Sequence, residues 1–217
     1  MINYISQIRE EKVESFKQLI EISDILNSPG GCPWDQKQTF ASLRPYILEE
    51  AHEVLEAIDN GDRAEMIEEL GDLFYTVIFY AKVAEREKEF SMKDIIETLK
   101  AKLIRRHPHV FGEEKASSME DVIRTWNKVK SEEKKERKSA LDGIPKTLPS
   151  LQRAQKMLQK MGKQKCPQSQ VDPEDRGALL AKQIYDIVQM AAEEEIDLES
   201  AFREFLQAQE NQFKAWE

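Results

Sequence analysis

Apolar residues recur along this chain with a helical period. Ile5, Ile8, Val13, Phe16, Leu19, Ile20, Ile22 and Ile25 predict a helix over residues 3–27. Ser28-Pro29-Gly30-Gly31-Cys32-Pro33 ends it in a loop. Thr39 is the expected cap of a second helix reaching about Asn60, and Asn60-Gly61-Asp62 reads as a turn. A third helix covers about Asp62 to Arg86. Its segment Leu73 to Tyr80 is apolar nearly all round. Such a run suits a buried strand or a buried helix, and its place inside a long helical pattern favours the helix. Ser91 caps a fourth helix through Arg106, which Pro108 ends. A fifth covers about Ser118 to Lys138.

Residues 139–150 hold Gly143, Pro145 and Pro149 and read as a linker. The expected division is a helical domain at 1–140, a linker at 141–150 and a second helical region at 151–217. Helical stretches follow at about 150–161, 174–192 and 197–215, with a polar, irregular hinge between Lys163 and Pro173. Only 8 Gly and 8 Pro punctuate 217 residues, and Glu, Lys, Leu, Ala and Gln abound. That balance favours helices over strands. The expected fold is all-α: an antiparallel helical bundle with a metal-binding helical hairpin, plus a shortened helical C-terminal region.

Charge narrows the function classes. A formal net charge of −9 argues against binding a nucleic-acid polymer. It leaves room for a small anionic ligand bridged by a divalent cation. The two cysteines, Cys32 and Cys166, are too few for a disulfide framework or a zinc cluster and are expected as reduced thiols. No apolar run approaches ~18 residues, and Met1 is not followed by a basic, then apolar, leader. A cytoplasmic location with no membrane contact is the expectation.

Residues 49–72 carry ten acids against one strong base, Arg63. Glu50 and Glu53 share a helical face, as do Glu69 and Asp72. Glu53 lies eight residues before Gly61 and Glu69 eight after; Glu50 lies eleven before and Asp72 eleven after. In an antiparallel hairpin all four stand at matching heights, roughly 12 to 17 Å from the turn. They converge if the two faces turn inward, a rotation that spacing alone leaves open. Leu48, Val54, Leu55, Ile58, Met66, Leu70, Leu73 and Phe74 flank them, which places the patch near a core. Carboxylates so placed need cations. Hard oxygen ligands at this density suit Mg²⁺, with Mn²⁺ as an alternative. The competing reading is an ordinary solvated acidic face.

Glu49-Glu50-Ala51-His52-Glu53 followed by Glu69-Leu70-Gly71-Asp72 resembles the EExxE…ExxD signature of the all-α nucleoside triphosphate pyrophosphohydrolases, and most closely the MazG proteins. Gly31-Cys32-Pro33-Trp34-Asp35, Gln38-Thr39-Phe40, Arg105-Arg106-His107-Pro108-His109-Val110-Phe111, and Trp126 with Lys130 extend the likeness over about residues 5 to 155. The resemblance implies hydrolysis of a nucleoside triphosphate between its α and β phosphates, giving monophosphate and pyrophosphate. It implies Mg²⁺ held by Glu50, Glu53, Glu69 and Asp72. Glu49 would orient or deprotonate water, so Glu49, Glu50 and Glu53 form the expected catalytic set. It also implies a homodimer, in which the apolar stretch 73–80 is partly buried against the second subunit.

A triphosphate also needs cations. Lys102 and Arg106 share a face of the fourth helix, and Trp126 and Lys130 repeat that spacing on the fifth. The resemblance places nucleotide contacts at these four positions; read without it, they are surface charges and a core tryptophan. Trp34 packs into the core or against the ligand, and both readings stay open. His107 and His109 flank Pro108 as a metal pair or as a structural loop, and the loop is favoured.

Two other functions compete. A di-iron bundle needs two Glu-x-x-His motifs. Glu49 to His52 provides one, but Ile104 and Arg106 precede the other histidines at that spacing. A non-catalytic helical dimerisation or interaction module leaves the matched acids around Gly61 unexplained. In the second region, Gly71–Val77 can be laid over Ala181–Ile187, which puts Lys182 where Asp72 stands. Glu194 and Asp197 keep an ExxD spacing with no EExxE before them at hairpin distance. The region 151–217 therefore reads as a shortened second copy without its metal site.

Overall fold

The computed structural model describes residues 2–133, 135–162 and 170–217. Cys166 and most of the expected hinge lie outside the described residues. The protein is all-α, with no strand among the described residues. The chain divides into two compact units, Met1–Lys130 and Ser131–Glu217.

The first unit holds α1 (Ile2–Asn27), a 3₁₀ turn at Asp35–Lys37, α2 (Arg44–Asn60), α3 (Arg63–Glu87), α4 (Met92–Arg106), α5 (Pro108–Phe111) and most of α6 (Met119–Glu132). The α2–α3 hairpin is set by its two-residue turn, Gly61-Asp62. Gly61 takes the left-handed conformation at φ 69°, which costs a residue without Cβ little. The Gly61 and Asp62 N–H groups close on the Ile58 and Ala57 carbonyls at 3.1 and 3.0 Å. The Asp62 carboxylate then accepts from the N–H groups of Ala64 and Glu65 at 2.9 and 3.1 Å and opens α3. Ser91 and Asp94 form a reciprocal capping box at the start of α4.

Two expected boundaries move. Thr39 does not cap α2. It closes a separate turn, exchanging hydrogen bonds with Ser42 at 2.9 and 3.1 Å, and α2 starts at Arg44 with Pro45 in its first turn. A helix starting at Thr39 would put Pro45 deep enough to lose a backbone hydrogen bond. The α6 helix stops at Glu132 rather than Lys138; the described residues from 131 to 138 are all exposed and give the helix no face to bury.

The run 73–80 is helix, in the middle of α3. Phe79 and Val83 pack with Leu43 in a small core edged by Phe40, Tyr75 and Tyr80. Phe16 of α1 meets Phe74 of α3 at 5.9 Å. Lys82 joins the same two helices, 2.6 Å from Asp24 and 2.8 Å from Glu85. The loop after α1 folds tightly on its end: Cys32 donates to the Leu26 carbonyl at 2.8 Å, and a Cβ on Gly31 would collide with the Ile25 and Leu26 carbonyls. Gln38 is buried, its amide donates to the Trp34 carbonyl at 3.0 Å, and its own carbonyl accepts from Arg86. These bonds fix the segment carrying Trp34.

The second unit holds α7 (Ser150–Met161), α8 (Arg176–Glu193) and α9 (Leu198–Trp216). Buried Gln155 of α7 clamps the α8–α9 turn: its Nε2 donates to the Ile196 carbonyl at 2.6 Å, and its Oε1 accepts from the Leu198 N–H at 3.2 Å. Asp175 and Asp197 cap α8 and α9.

Candidate active site

The hairpin turns its acids together. Carboxylate oxygens of Glu50, Glu69 and Asp72 lie within 4.8 Å of one another. Glu53 stands one turn from Glu50, half-buried, outside that group of oxygens but close enough to act on both Glu50 and Glu69. Glu49 is exposed and adds its charge to the field at Glu50.

Loss of hydration pushes the Glu50 carboxyl above the usual range, and the neighbouring charges of Asp72, Glu53, Glu69 and Glu49 push it further. Glu69 moves the same way, from lost hydration and then Glu53, Asp72, Glu68 and Glu65. Every charge that shifts these two groups is negative. The fold therefore gathers anionic oxygens whose charges act against one another. Oxygen ligands about 2.1 Å from Mg²⁺ stand roughly 3 to 4 Å apart, so the cluster is on the scale of a hard divalent cation. The donor set fits Mg²⁺ or Mn²⁺.

The basic and aromatic residues gather at the end of α4. Lys102, Arg106, Trp126 and Lys130 are all half-buried. The Arg106 guanidinium lies over the Trp126 ring, with Cζ 5.7 Å from its centroid. This contact joins the face of α4 that carries Lys102 to the face of α6 that carries Lys130. Trp126 is neither fully core nor free. The histidines flanking Pro108 belong to a structured corner: His107 is the residue between α4 and α5, its Nδ1 lies 2.6 Å from the Leu103 carbonyl oxygen, and its ring is 5.6 Å from that of His109. Neither joins the metal-ligating group found among the described residues. His107 also meets Trp126 edge to face, at 5.1 Å and 85°. Sequence spacing did not single out that contact; the position directly after Arg106, at a helix end, is the signal that could have. Trp34 shows core contacts together with a free surface. It packs on Tyr46 at 5.7 Å and on buried Phe79 at 6.0 Å, yet it stays 49% exposed.

Residues 38–111 match the MazG nucleotide pyrophosphohydrolase domain, and an uncharacterized 26.1 kDa protein of Streptomyces cacaoi is 35% identical over 85% of this chain and 75% of its own length. The chain belongs to the MazG family. The acid cluster, Lys102 and Arg106 fall inside the matched MazG segment; Trp34, Trp126 and Lys130 fall outside it. A nucleoside triphosphate pyrophosphohydrolase of Escherichia coli is 47% identical over 64% of this chain and 54% of its own. The chain spans about a third of the uncharacterized protein YabN of Bacillus subtilis, at 32%, and about half of the Escherichia coli and Thermotoga maritima pyrophosphohydrolases, at 54%. The crystal structure of a MazG-related protein from Thermotoga maritima is 33% identical, covering 53% of this chain and 98% of that one with a TM-score of 0.47.

Proposed function

We propose that this MazG-family protein hydrolyses nucleoside triphosphates, ribo- or deoxyribo-, in a Mg²⁺-dependent reaction that gives a nucleoside monophosphate and pyrophosphate. The observation that carries this reading is the convergence of the Glu50, Glu69 and Asp72 carboxylate oxygens inside the MazG segment. Relatives bearing the name nucleoside triphosphate pyrophosphohydrolase support the substrate class.

In this reading Glu50, Glu53, Glu69 and Asp72 would hold Mg²⁺, with Mn²⁺ as a substitute. The metal's chemistry is to neutralise the phosphate chain and lower the pKa of bound water. Water forms a bond to the α phosphorus, the α–β bridging P–O bond breaks, and pyrophosphate leaves with the bridging oxygen. Glu49 orients the water and takes its proton. Lys102, Arg106 and Lys130 face the phosphates. Trp126 and Trp34 offer ring faces for the base or ribose.

Exposed apolar side chains on the hairpin, among them Leu48, Ile58, Ile67, Leu70 and Phe74, support a homodimer. Residues 151–217 serve as a shortened second copy without a metal site. The enzyme works on cytoplasmic nucleotide pools, for their control or sanitation. Among the described residues no helix is long and apolar enough to cross a membrane.

The test is product analysis with each common nucleoside triphosphate and Mg²⁺, with EDTA and Asp72→Asn as controls. Monophosphate plus pyrophosphate, lost in both controls, is the expected result. Diphosphate plus orthophosphate overturns the bond assignment. No turnover of any nucleotide returns the protein to the interaction-module reading.

A further inference from the structure

One residue at the nucleotide end of this site has no part in the chemistry above and is held more firmly than a loop residue needs to be. His107 sits between α4 and α5 at φ −122° and ψ 56°. Its backbone N–H turns to the Ile104 carbonyl at 3.2 Å. The Leu103 carbonyl, one turn back, meets the ring Nδ1 at 2.6 Å instead. A carbonyl only accepts, so Nδ1 donates and the ring orientation is set by the helix end itself. The ring also meets two other rings, His109 at 5.6 Å and Trp126 at 5.1 Å between centroids. The Trp126 approach, at 85°, is the edge-to-face geometry that aromatic pairs favour. Two consecutive residues thus hold the same indole: Arg106 lies over it and His107 sets its angle.

We propose that His107 is a positioning residue for the nucleotide. Anchored on the Leu103 carbonyl, its ring holds the Trp126 indole against Arg106, so that the face on which the base or ribose rests is in place before the ligand arrives. This role rests on the nucleotide reading of Trp126 and Arg106. Preorganisation of this kind lowers the entropy lost on binding. It acts on binding of substrate and transition state alike, because the acids that face the reacting phosphates lie on another hairpin. Its loss therefore raises KM and leaves kcat in place.

The rival role for His107 is simple capping of α4, and two variants separate them. His107→Phe keeps a ring beside Trp126 and donates nothing to Leu103. His107→Asn keeps a donor and has no ring. Steady-state kinetics on one nucleoside triphosphate is paired with ¹⁹F NMR of protein labelled with 5-fluorotryptophan, the Trp126 resonance being assigned through Trp126→Phe. Positioning through the ring predicts that His107→Asn raises KM about three- to tenfold at unchanged kcat and shifts the Trp126 resonance of the nucleotide-free protein. His107→Phe keeps the ring but loses its anchor on Leu103, so it falls between wild type and His107→Asn on both readouts. Any other pattern overturns the proposal, and the reverse one assigns His107 to capping. If the wild-type protein turns over no nucleotide, the nucleotide reading fails on its own account, while the Trp126 resonance in nucleotide-free protein still decides whether His107 holds the indole.

Discussion

The α2–α3 hairpin and helix α8 carry a similar stretch of sequence and treat its charge in opposite ways. In the hairpin, Asp72 joins Glu50 and Glu69, and the field on these acids comes from more acids. In α8, the matching position holds Lys182, whose ammonium sits 2.7 Å from both Asp186 oxygens one turn along the same helix. The second arrangement neutralises itself within one helix. The first sets like charges against one another, which in the proposed reading a divalent cation balances. Electrostatic frustration that the fold maintains marks a place for a ligand, whereas a charge satisfied by its own helix marks a surface.

The strongest way to break this contrast is to remove one hairpin charge. Asp72→Asn or Glu50→Gln is expected to lower turnover at least about a hundredfold, yet to leave helicity by circular dichroism intact and raise the melting temperature in EDTA. A variant that loses its helical signal would make these acids structural. On the other side of the contrast, Gln155→Ala leaves the Ile196 carbonyl and the Leu198 N–H without their partner. Chemical denaturation should show the second unit weakened by ~1–3 kcal/mol, with nucleotide turnover unchanged.

Protons sharpen the comparison further. The folded pKa of Glu50 lies above its unfolded value, so the folded state binds the proton more tightly. Its contribution to stability is complete below the unfolded pKa and is lost as pH rises through the raised folded pKa. The melting-temperature gap between Glu50→Gln and wild type in EDTA should therefore widen in favour of the variant across that rise. Mg²⁺ should close it, and acidification through the same range should weaken Mg²⁺ binding. The smallest effect belongs to α8. Lys182→Ala breaks a half-buried pair within one helix and should cost about 0.3–0.5 kcal/mol with turnover unchanged; a larger loss, or any effect on activity, would give that pair a role its geometry does not suggest.

Much of the fold was legible because its signals are local. Gly61, Asp62, Ser91 and Pro108 stop and start helices through their own backbone chemistry, and the structure puts the boundaries where they point. Thr39 misled because two local signals compete there: a capping residue and, six positions on, a proline that needs the first turn of a helix. The end of α6 misled because strong helix formers continue past the point where there is anything to pack against. At the site, the heights of the acids follow from counting residues to Gly61. Their azimuth does not, and it leaves Glu53 outside the oxygen cluster that Glu50, Glu69 and Asp72 form.

Sequence by itself determined that the chain is helical, where its acidic hairpin turns, and which four carboxylates stand level across it. These follow from propensity, capping and a constant rise per residue, all of which act within a few positions. Only the tertiary structure decided which carboxylate oxygens meet, that Trp34 is half core and half surface, and that Arg106 and His107 grip one indole. Those outcomes depend on the rotation of each helix about its own axis. That rotation is set by contacts between residues far apart along the chain, such as Leu43 with Phe79 and Val83 or Arg106 and His107 with Trp126, and no local signal encodes it.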